Sequence, residues 1–184
     1  MSLPLLRHPG YTLEEWASWE GRWELIDGIA YDMTPSPNLD HQEISVNLTV
    51  ALHAALAARE RQGSGSGHCQ VLAAPLDVFL PSGVLEPDLV VVCDPAKKSV
   101  RGIEGAPDLV VEILSPGTAS KDLSIKRWAY EAAGVPEYLI IFPLERFALL
   151  LRLDPAQHYQ EAERVAWGGM LALLGGTISV PLGT

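Results

Sequence analysis

The stretch PDLVVEILSP, residues 107–116, places a single carboxylate in the middle of an apolar run. A short, continuous run of aliphatic residues predicts a β-strand that is covered on both faces of its sheet. Glu112 lies inside this run, and an ionised carboxylate in such a strand is costly unless a partner compensates its charge. The fold and the function therefore both depend on what Glu112 pairs with.

A second strand of the same kind is predicted for PDLVVVCD, residues 87–94. Residues 95–106, which join the two strands, show no helical pattern, so we predict antiparallel neighbours rather than a parallel crossover. This pairing puts Asp88, at the start of the first strand, level with Glu112 near the end of the second. Asp108 falls about 13 Å from Glu112 along the strand, and we therefore predict that it lies outside the site.

Two carboxylates in close contact repel each other, and one of them would normally take up a proton. A divalent cation would remove the conflict, and Mg²⁺ favours one or two carboxylates together with water and phosphate oxygens. An arginine or lysine beside each carboxylate would remove it equally well. The residues alone leave both alternatives open.

The composition is that of an ordinary globular protein, with 184 residues of which 48% are hydrophobic and 20% are charged. We expect one domain over residues 1–184. A formal net charge of -10 argues against a general nucleic-acid coat protein, whose surface should be basic, but it does not exclude a metal-dependent enzyme. We find no apolar run long enough to cross a membrane and no secretory signal, so we expect a cytoplasmic protein.

The rest of the chain alternates between helical and strand patterns, which predicts an α/β domain with a mixed sheet. A helix at residues 120–133 should begin at Ser120 as its N-cap and end before Gly134. Outer antiparallel strands are expected after residue 143. The earlier predicted elements are a short helix behind the Thr12–Glu15 capping box, a hairpin at 23–33 that turns at Asp27-Gly28, a long helix at 39–61 and a strand at 70–81.

The two cysteines and five tryptophans carry little functional signal. Cys69 and Cys93 form no metal-ligand cluster, and Cys93 is expected to be a buried small hydrophobe. A disulfide between them is possible but has no support in the sequence. The tryptophans are scattered along the chain, which favours packing or interface roles over base stacking.

Three segments in order, EPDLVVVCD, PDLVVEILSP and KDLSIKRWAYEAAGVPEYLII, resemble the PD-(D/E)XK nuclease superfamily. More closely, they resemble its Uma-two branch of restriction-endonuclease-like proteins, which WELIDGIAYDM and SPNLDHQ also match. The resemblance extends from about Tyr11 to Phe142 and more loosely to the end of the chain. The bare Pro-Asp motif is weak, whereas the ordered set of segments is much more specific.

This resemblance implies a restriction-endonuclease-like mixed sheet flanked by helices, here with extra antiparallel strands. It also implies Mg²⁺- or Mn²⁺-dependent hydrolysis of phosphodiester bonds in nucleic acid, which we expect to be DNA. Asp88 and Glu112 would be the metal ligands, and Glu24 matches an additional acidic position of the site. The alternatives are an inactive interaction module that kept the fold and a metal hydrolase for another phosphorylated substrate. We expect a homodimer, because many enzymes of this fold are dimers and the C-terminal strands look apolar.

One departure concerns the catalytic lysine, which the superfamily pattern places two residues after the second acid, where this chain has Leu114. Lys126 in the following helix matches a relocated lysine; otherwise the site has lost its chemistry or Lys126 forms a surface pair with Asp122. Leu123 and Tyr130 are expected to face the sheet, with Lys126 following that face toward the strand ends. Replacing Lys126 should then abolish cleavage with stability near native. Lys121, the rival cation and a candidate substrate contact, is expected to be solvated.

Glu24 and His41 each allow two interpretations. Strand alternation makes Glu24 a solvent-facing residue, whereas the resemblance makes it part of the acidic site. His41 lies in the first turn of the long helix, beside its apolar stripe, and is either a polar helix-end residue or a substrate contact. The match of SPNLDHQ favours the substrate contact.

Overall fold

The computed structural model describes residues 10–33, 36–63, 68–117 and 119–183. A six-stranded sheet with the strand order β11-β10-β9-β8-β6-β3 forms its centre, beside a five-stranded sheet, β2-β1-β5-β4-β7, and a hairpin, β12-β13. The strands are β1 (Trp23–Ile26), β2 (Ile29–Asp32), β3 (Gln70–Ala73), β4 (Val78–Leu80), β5 (Gly83–Leu85), β6 (Leu89–Val92), β7 (Ile103–Glu104), β8 (Leu109–Ile113), β9 (Glu137–Phe142), β10 (Phe147–Leu153), β11 (Tyr159–Ala166), β12 (Met170–Leu173) and β13 (Ile178–Pro181).

The helices are few and lie on both sides of the central sheet. They are α1 (Leu13–Trp16), α2 (Leu39–Arg61), α3 (Ala119–Lys121) and α4 (Arg127–Ala133), with a π-helical turn (Asp122–Lys126) between α3 and α4 and a 3₁₀ turn at Pro95–Lys97. Helix α2 and the β12-β13 hairpin pack on one face of the central sheet. The five-stranded sheet and α4 pack on the other face. The predicted mixed α/β architecture is thus confirmed.

The two apolar strands of the sequence pair as predicted. β6 runs antiparallel to β8, with Leu89 opposite Val111 and Val91 opposite Leu109. This register brings Asp88, one residue before β6, level with Glu112. β8 runs parallel to β9, where Ile140 lies opposite Glu112. Glu112 therefore lies in a strand with neighbours on both sides, which removes it from water at both edges.

Local signals in the first third of the chain are also confirmed. Thr12 and Glu15 form a reciprocal capping box at the start of α1. β1 and β2 pair around Asp27 and Gly28, which both have positive φ, as a tight hairpin turn requires. Helix α2 covers the predicted range 39–61.

The single strand predicted at residues 70–81 is wrong. The segment forms two strands, β3 in the central sheet and β4 in the five-stranded sheet. Pro75 separates them, and proline cannot donate a hydrogen bond to a strand ladder. The proline therefore ends one strand and lets the chain cross from one sheet to the other.

The helix predicted at 120–133 begins one residue earlier, so Ser120 lies inside it and is not its N-cap. Its end is as predicted, because Gly134 adopts the left-handed conformation that caps a helix C-terminus. The π-helical turn at Asp122–Lys126 was not foreseen. The turn changes the direction in which the neighbouring side chains point, so Leu123 is exposed and does not face the sheet.

The apolar residues of the C-terminal hairpin pack inside the protein. Leu171, Leu173, Ile178 and Val180 of the β12-β13 hairpin are buried in the core on the α2 side of the central sheet. Packing in the core therefore explains the apolar sequence of these strands, which gives no separate support to a dimer.

Cys69 and Cys93 form a disulfide, which no pattern in the sequence supported. Gln70 lies opposite Val92 in the antiparallel pairing of β3 with β6, so the two cysteines follow as the next pair along the ladder. No helix among the described residues is long and apolar enough to cross a membrane.

Candidate active site

Glu112 is paired with Lys126, which answers the question posed by its burial. The Lys126 ammonium lies 2.8 Å from Glu112 Oε1. The Tyr130 hydroxyl donates to the same oxygen at 2.7 Å. Lys126 and Tyr130 lie four residues apart, so both project from one side of the helical segment toward β8.

Lys126 also joins Glu112 to Glu24 of the other sheet. The Lys126 ammonium lies 2.7 Å from Glu24 Oε1 and 3.8 Å from Asp122 Oδ1. Glu24 is completely buried, so its reading as a solvent-facing residue is wrong. Asp122 and Lys126 are buried as well, which excludes a surface pair. The π-helical turn places both of them on the inner side of the helix.

A second cation, Lys121, binds the other carboxylate oxygen of Glu24. Its ammonium lies 2.5 Å from Glu24 Oε2, and the side chain is only 14% exposed. The expectation that Lys121 is solvated is therefore wrong. The backbone N–H of Glu86 donates to Glu24 Oε1 at 2.9 Å. Glu24 is thus held by two lysines and one backbone group.

Asp88 forms the part of the site that faces solvent. Its Oδ2 accepts a hydrogen bond from the backbone N–H of Ile113 at 2.7 Å and lies 3.1 Å from His41 Nε2. Asp88 is partly exposed, whereas His41 is buried at the start of α2. Among the described residues, the other ring nitrogen of His41, Nδ1, is a buried atom without a hydrogen-bond partner.

A cleft of about 640 Å³ opens above these residues. Asp88, His41 and Lys121 line it, together with Arg22 and Glu86, which form an ion pair with each other. The remaining walls come from residues 31–33 and 36–38, from the start of α2, and from Ala74, Pro75, Ser115 and Gly117. Glu24, Glu112 and Lys126 lie beneath the cleft wall and do not line it.

The buried charges differ in how the surroundings change their pKa values. Burial alone would raise the pKa of Glu24, but the ammonium groups of Lys126 and Lys121 outweigh it and hold this pKa below its ordinary value. For Glu112, burial disfavours the ionised carboxylate and the neighbouring Lys126 ammonium favours it. Burial would lower the pKa of Lys126, but Glu112 and Glu24 raise it well above its ordinary value, so the lysine keeps its proton.

The carboxylates at the site are of the kind that Mg²⁺ prefers. Asp88 and Glu112 supply carboxylate oxygens at one level of the sheet, and one or two carboxylates with water and substrate oxygens are the usual Mg²⁺ set. Among the described residues there is no group of three or more acidic, histidine or cysteine side chains that would cage a metal by themselves. A bound Mg²⁺ would therefore rely on Asp88 and Glu112, with Glu112 also bonded to Lys126.

All six residues singled out from the sequence converge here. Glu24, Glu112, Lys121 and Lys126 form one network of ion pairs, and Asp88 with His41 joins it through the backbone of Ile113, next to Glu112. Asp108 lies at the other end of β8, where its side chain accepts a hydrogen bond from the Cys93 backbone N–H. The structure thus gives each residue a position, while their catalytic roles stay predictions.

Sequence reasoning missed Tyr130 as a partner of Glu112 and the ion pair of Arg22 with Glu86. Tyr130 carried a usable signal, because it lies one turn after Lys126 on the face that had been assigned to the sheet. Arg22 and Glu86 lie 64 residues apart in the chain, and no local pattern connects them. Only the pairing of β1 with β5 brings their neighbourhoods together.

The comparisons with known proteins concern the family and the fold. Residues 12–177 match the model of the Uma2 family, described as "Putative restriction endonuclease". A search among curated proteins gave no match. The fold is similar to the crystal structure of a "putative nuclease belonging to DUF820" from Anabaena variabilis ATCC 29413, with a TM-score of 0.68 and 16% identity over 90% of this chain and 96% of that chain. At this identity the likeness establishes the fold alone.

Proposed function

The chain belongs to the Uma2 family, and we propose that it is a Mg²⁺- or Mn²⁺-dependent endonuclease that hydrolyses phosphodiester bonds of DNA. The observation that carries the proposal is the position of Asp88 and Glu112. They lie level on neighbouring strands, and Asp88 opens onto a cleft that a phosphate can reach. Asp88 and Glu112 would hold the metal, which when bound would activate a water and stabilise charge on the phosphate.

Lys121 and Lys126 would have different roles. Lys121 lines the cleft and would contact the phosphate directly as a positive point charge, held in position by Glu24. Lys126 is buried between Glu24 and Glu112 and would orient the Glu112 carboxylate and balance its charge. Glu24 in turn holds both lysines in place. This arrangement supports the relocation of the family lysine from position 114 to the helix.

His41 is placed to set the orientation of Asp88. Its Nε2 lies 3.1 Å from Asp88 Oδ2, and its ring lines the cleft. With Nε2 protonated, it donates to Asp88, and because Nδ1 is buried, a substrate would meet only the part of the ring that lines the cleft. We propose that His41 contacts the substrate in this way.

The test is cleavage of single- and double-stranded DNA and RNA by the native protein during titration with Mg²⁺ and Mn²⁺. We expect metal-dependent cleavage that Asp88→Asn abolishes and Asp108→Asn leaves intact. Asp108 is a matched control, since it occupies the same Pro-Asp context at the other end of the strand pair. Cleavage that persists in chelator, or that survives Asp88→Asn, would reject the proposal.

The rival function is an inactive interaction module, and one observation favours it. Glu112 is nearly inaccessible, and its Oε1 is engaged by both Lys126 and Tyr130, so the cluster compensates its own charge without a metal. Native protein that binds no Mn²⁺ and cleaves no nucleic acid would support this function instead.

We also propose a homodimer in the cytoplasm. Leu39, Val46 and Val50 lie on one side of α2 and are exposed, which leaves an apolar strip for a second copy. Light scattering should give the mass of a dimer for the native protein and of a monomer for Val46→Lys.

In a reducing cytoplasm the disulfide between Cys69 and Cys93 should be reduced. Alkylation of the thiols in fresh lysate would detect this.

A further inference from the structure

A second cavity adjoins the cleft and differs from it in character. It has a volume of about 440 Å³, which is within the range of roughly 300–1,000 Å³ typical of ligand pockets. Arg22, Pro75 and Glu86 line both cavities, so the two adjoin each other. A molecule bound at the candidate active site would reach the second cavity past the ion pair of Arg22 with Glu86.

Three tryptophans line this cavity, which corrects the view that the tryptophans are scattered. Trp16, Trp19 and Trp23 come from α1, from the turn behind it and from β1. Trp19 packs edge-to-face with Trp23, at 5.9 Å between ring centroids, and with Tyr11 at 5.0 Å. The indole N–H groups of Trp16 and Trp23 donate to the backbone carbonyls of Trp23 and Glu20. The aromatic wall is thus fixed before any ligand arrives.

The charges around the cavity balance each other. Arg22 pairs with Glu86, and Arg101 pairs with Glu104 and lies 4.4 Å above the Phe79 ring. A balanced set of this kind does not attract a phosphate, which needs uncompensated cations. The cavity is suited to an uncharged planar group that stacks on aromatic rings.

Asp77 adds a selective feature to the cavity. It is partly buried in the wall, and among the described residues its carboxylate has no hydrogen-bonded side-chain partner. Burial and the nearby Glu86 raise the pKa of Asp77, while Arg22 opposes this. Aspartate accepts hydrogen bonds from the exocyclic amino group of cytosine, for example, whereas thymine presents a carbonyl in the same place.

We propose that this cavity is a nucleobase site, in which an unpaired base with an exocyclic amino group stacks on the tryptophans while its backbone lies in the candidate active site. The inference rests on the proposed nuclease function and narrows its substrate to single-stranded or locally unpaired nucleic acid. Stacking on aromatic side chains is how single strands are generally held. The Asp77 carboxylate adds a preference for amino-bearing bases.

The test is the affinity of the full chain for cytosine-only and thymine-only ten-residue DNA oligonucleotides, measured in chelator at neutral pH by fluorescence anisotropy. We expect the cytosine strand to bind more tightly, Asp77→Asn to remove that preference, and Trp19→Ala to weaken the binding of both strands by roughly 5- to 150-fold, as expected for one lost base stack. Trp128→Ala is the matched control, because Trp128 is exposed on α4 and lies outside the cavity.

A further variant guards against misfolding of Trp19→Ala. Val100 lines the cavity and is fully exposed, so Val100→Glu should keep the fold while its charge repels the strand. Native affinity in both Trp19→Ala and Val100→Glu would overturn the inference, as would a native protein that binds neither strand. Cleavage of the same oligonucleotides in Mg²⁺ separates the two proposals. Cleavage independent of Trp19 rejects the base site alone, and base-dependent binding without cleavage rejects the nuclease alone.

Discussion

Lys126 illustrates at the residue scale how burial changes what a substitution should do. The sequence alone suggested that its removal would leave stability near native. The structure shows an ammonium that is 2% exposed and shared between Glu24 and Glu112. Removing one partner of a buried pair typically costs about 3–5 kcal/mol, because an uncompensated charge remains. We expect Lys126→Ala to lose stability on this scale in urea denaturation.

The control for Lys126 is Lys98→Ala. The Lys98 ammonium contacts the side-chain amide of Gln70 at an exposed position. Its loss should therefore change the free energy of unfolding by less than about 0.5 kcal/mol. Equal effects of the two substitutions would show that the buried pairs contribute nothing particular to stability.

Glu24 should make the stability depend on pH. Its pKa in the native protein lies below the ordinary value of 4.5, so folding favours the ionised carboxylate. The stabilisation is complete above pH 4.5 and is lost as the pH falls through the lowered pKa. We therefore expect Glu24→Gln to be less stable by about 3–5 kcal/mol at pH 7, with a difference that shrinks below pH 4.5. Thermal unfolding from pH 3 to 7, with exposed Glu20→Gln as control, measures this.

Asp88 and Glu112 should determine metal binding, while Asp108 should not. Calorimetric titration with Mn²⁺ should give a signal in the native protein that Asp88→Asn and Glu112→Gln both lose. Asp108→Asn should keep the native affinity, because its side chain is bound to the Cys93 backbone at the far end of the strand. Loss in Asp108→Asn with none in Asp88→Asn would mean that the site uses the other copy of the Pro-Asp motif.

At the scale of elements, the π-helical turn decides which residues of the helix face the sheet. Leu123 is 39% exposed, so Leu123→Ala should cost less than about 1 kcal/mol. An inward-facing leucine would cost about 2–5 kcal/mol, which Leu139→Ala in the centre of β9 should show. Urea denaturation of the two variants side by side measures the difference. A large loss in Leu123→Ala would contradict the π-helical turn.

The elements that local chemistry controls could be read from the sequence. The capping box, the Asp27-Gly28 hairpin, α2 and the antiparallel pair of β6 and β8 were all recognised in this way. A π-helical turn adds one residue to a helical turn and leaves no compositional sign. The crossing of the chain at Pro75 depends on which sheet accepts each strand, which is a long-range property.

In the candidate site, too, some features follow from local sequence and others from long-range packing. Asp88 and Glu112 follow from strand register, which the sequence indicates. The contact of Lys121 with Glu24 joins residues that are 97 positions apart, and it requires the packing of the five-stranded sheet. Resemblance to the family supplied Glu24, His41 and Lys126, whose local patterns alone favoured ordinary structural roles.

At the scale of the whole molecule, the two large sheets share one core and one site. Side chains of the five-stranded sheet pack with those of the central sheet and α4 in a single apolar cluster. The cleft lies where residues of both sheets and the start of α2 meet. Ligand sites commonly form at such junctions, because several elements contribute side chains to one cavity.

The ion pair of Glu24 with Lys126 affects how the protein unfolds. Glu24 belongs to one sheet, and Lys126 to the segment packed on the other, so partial unfolding that separates them would leave charges unpaired in an apolar core. Such partially unfolded states are therefore suppressed, and the two sheets should open as one cooperative unit. In native-state hydrogen exchange, the amides of β1 and β8 should show the same opening free energy, whereas in Glu24→Gln those of β1 should exchange first.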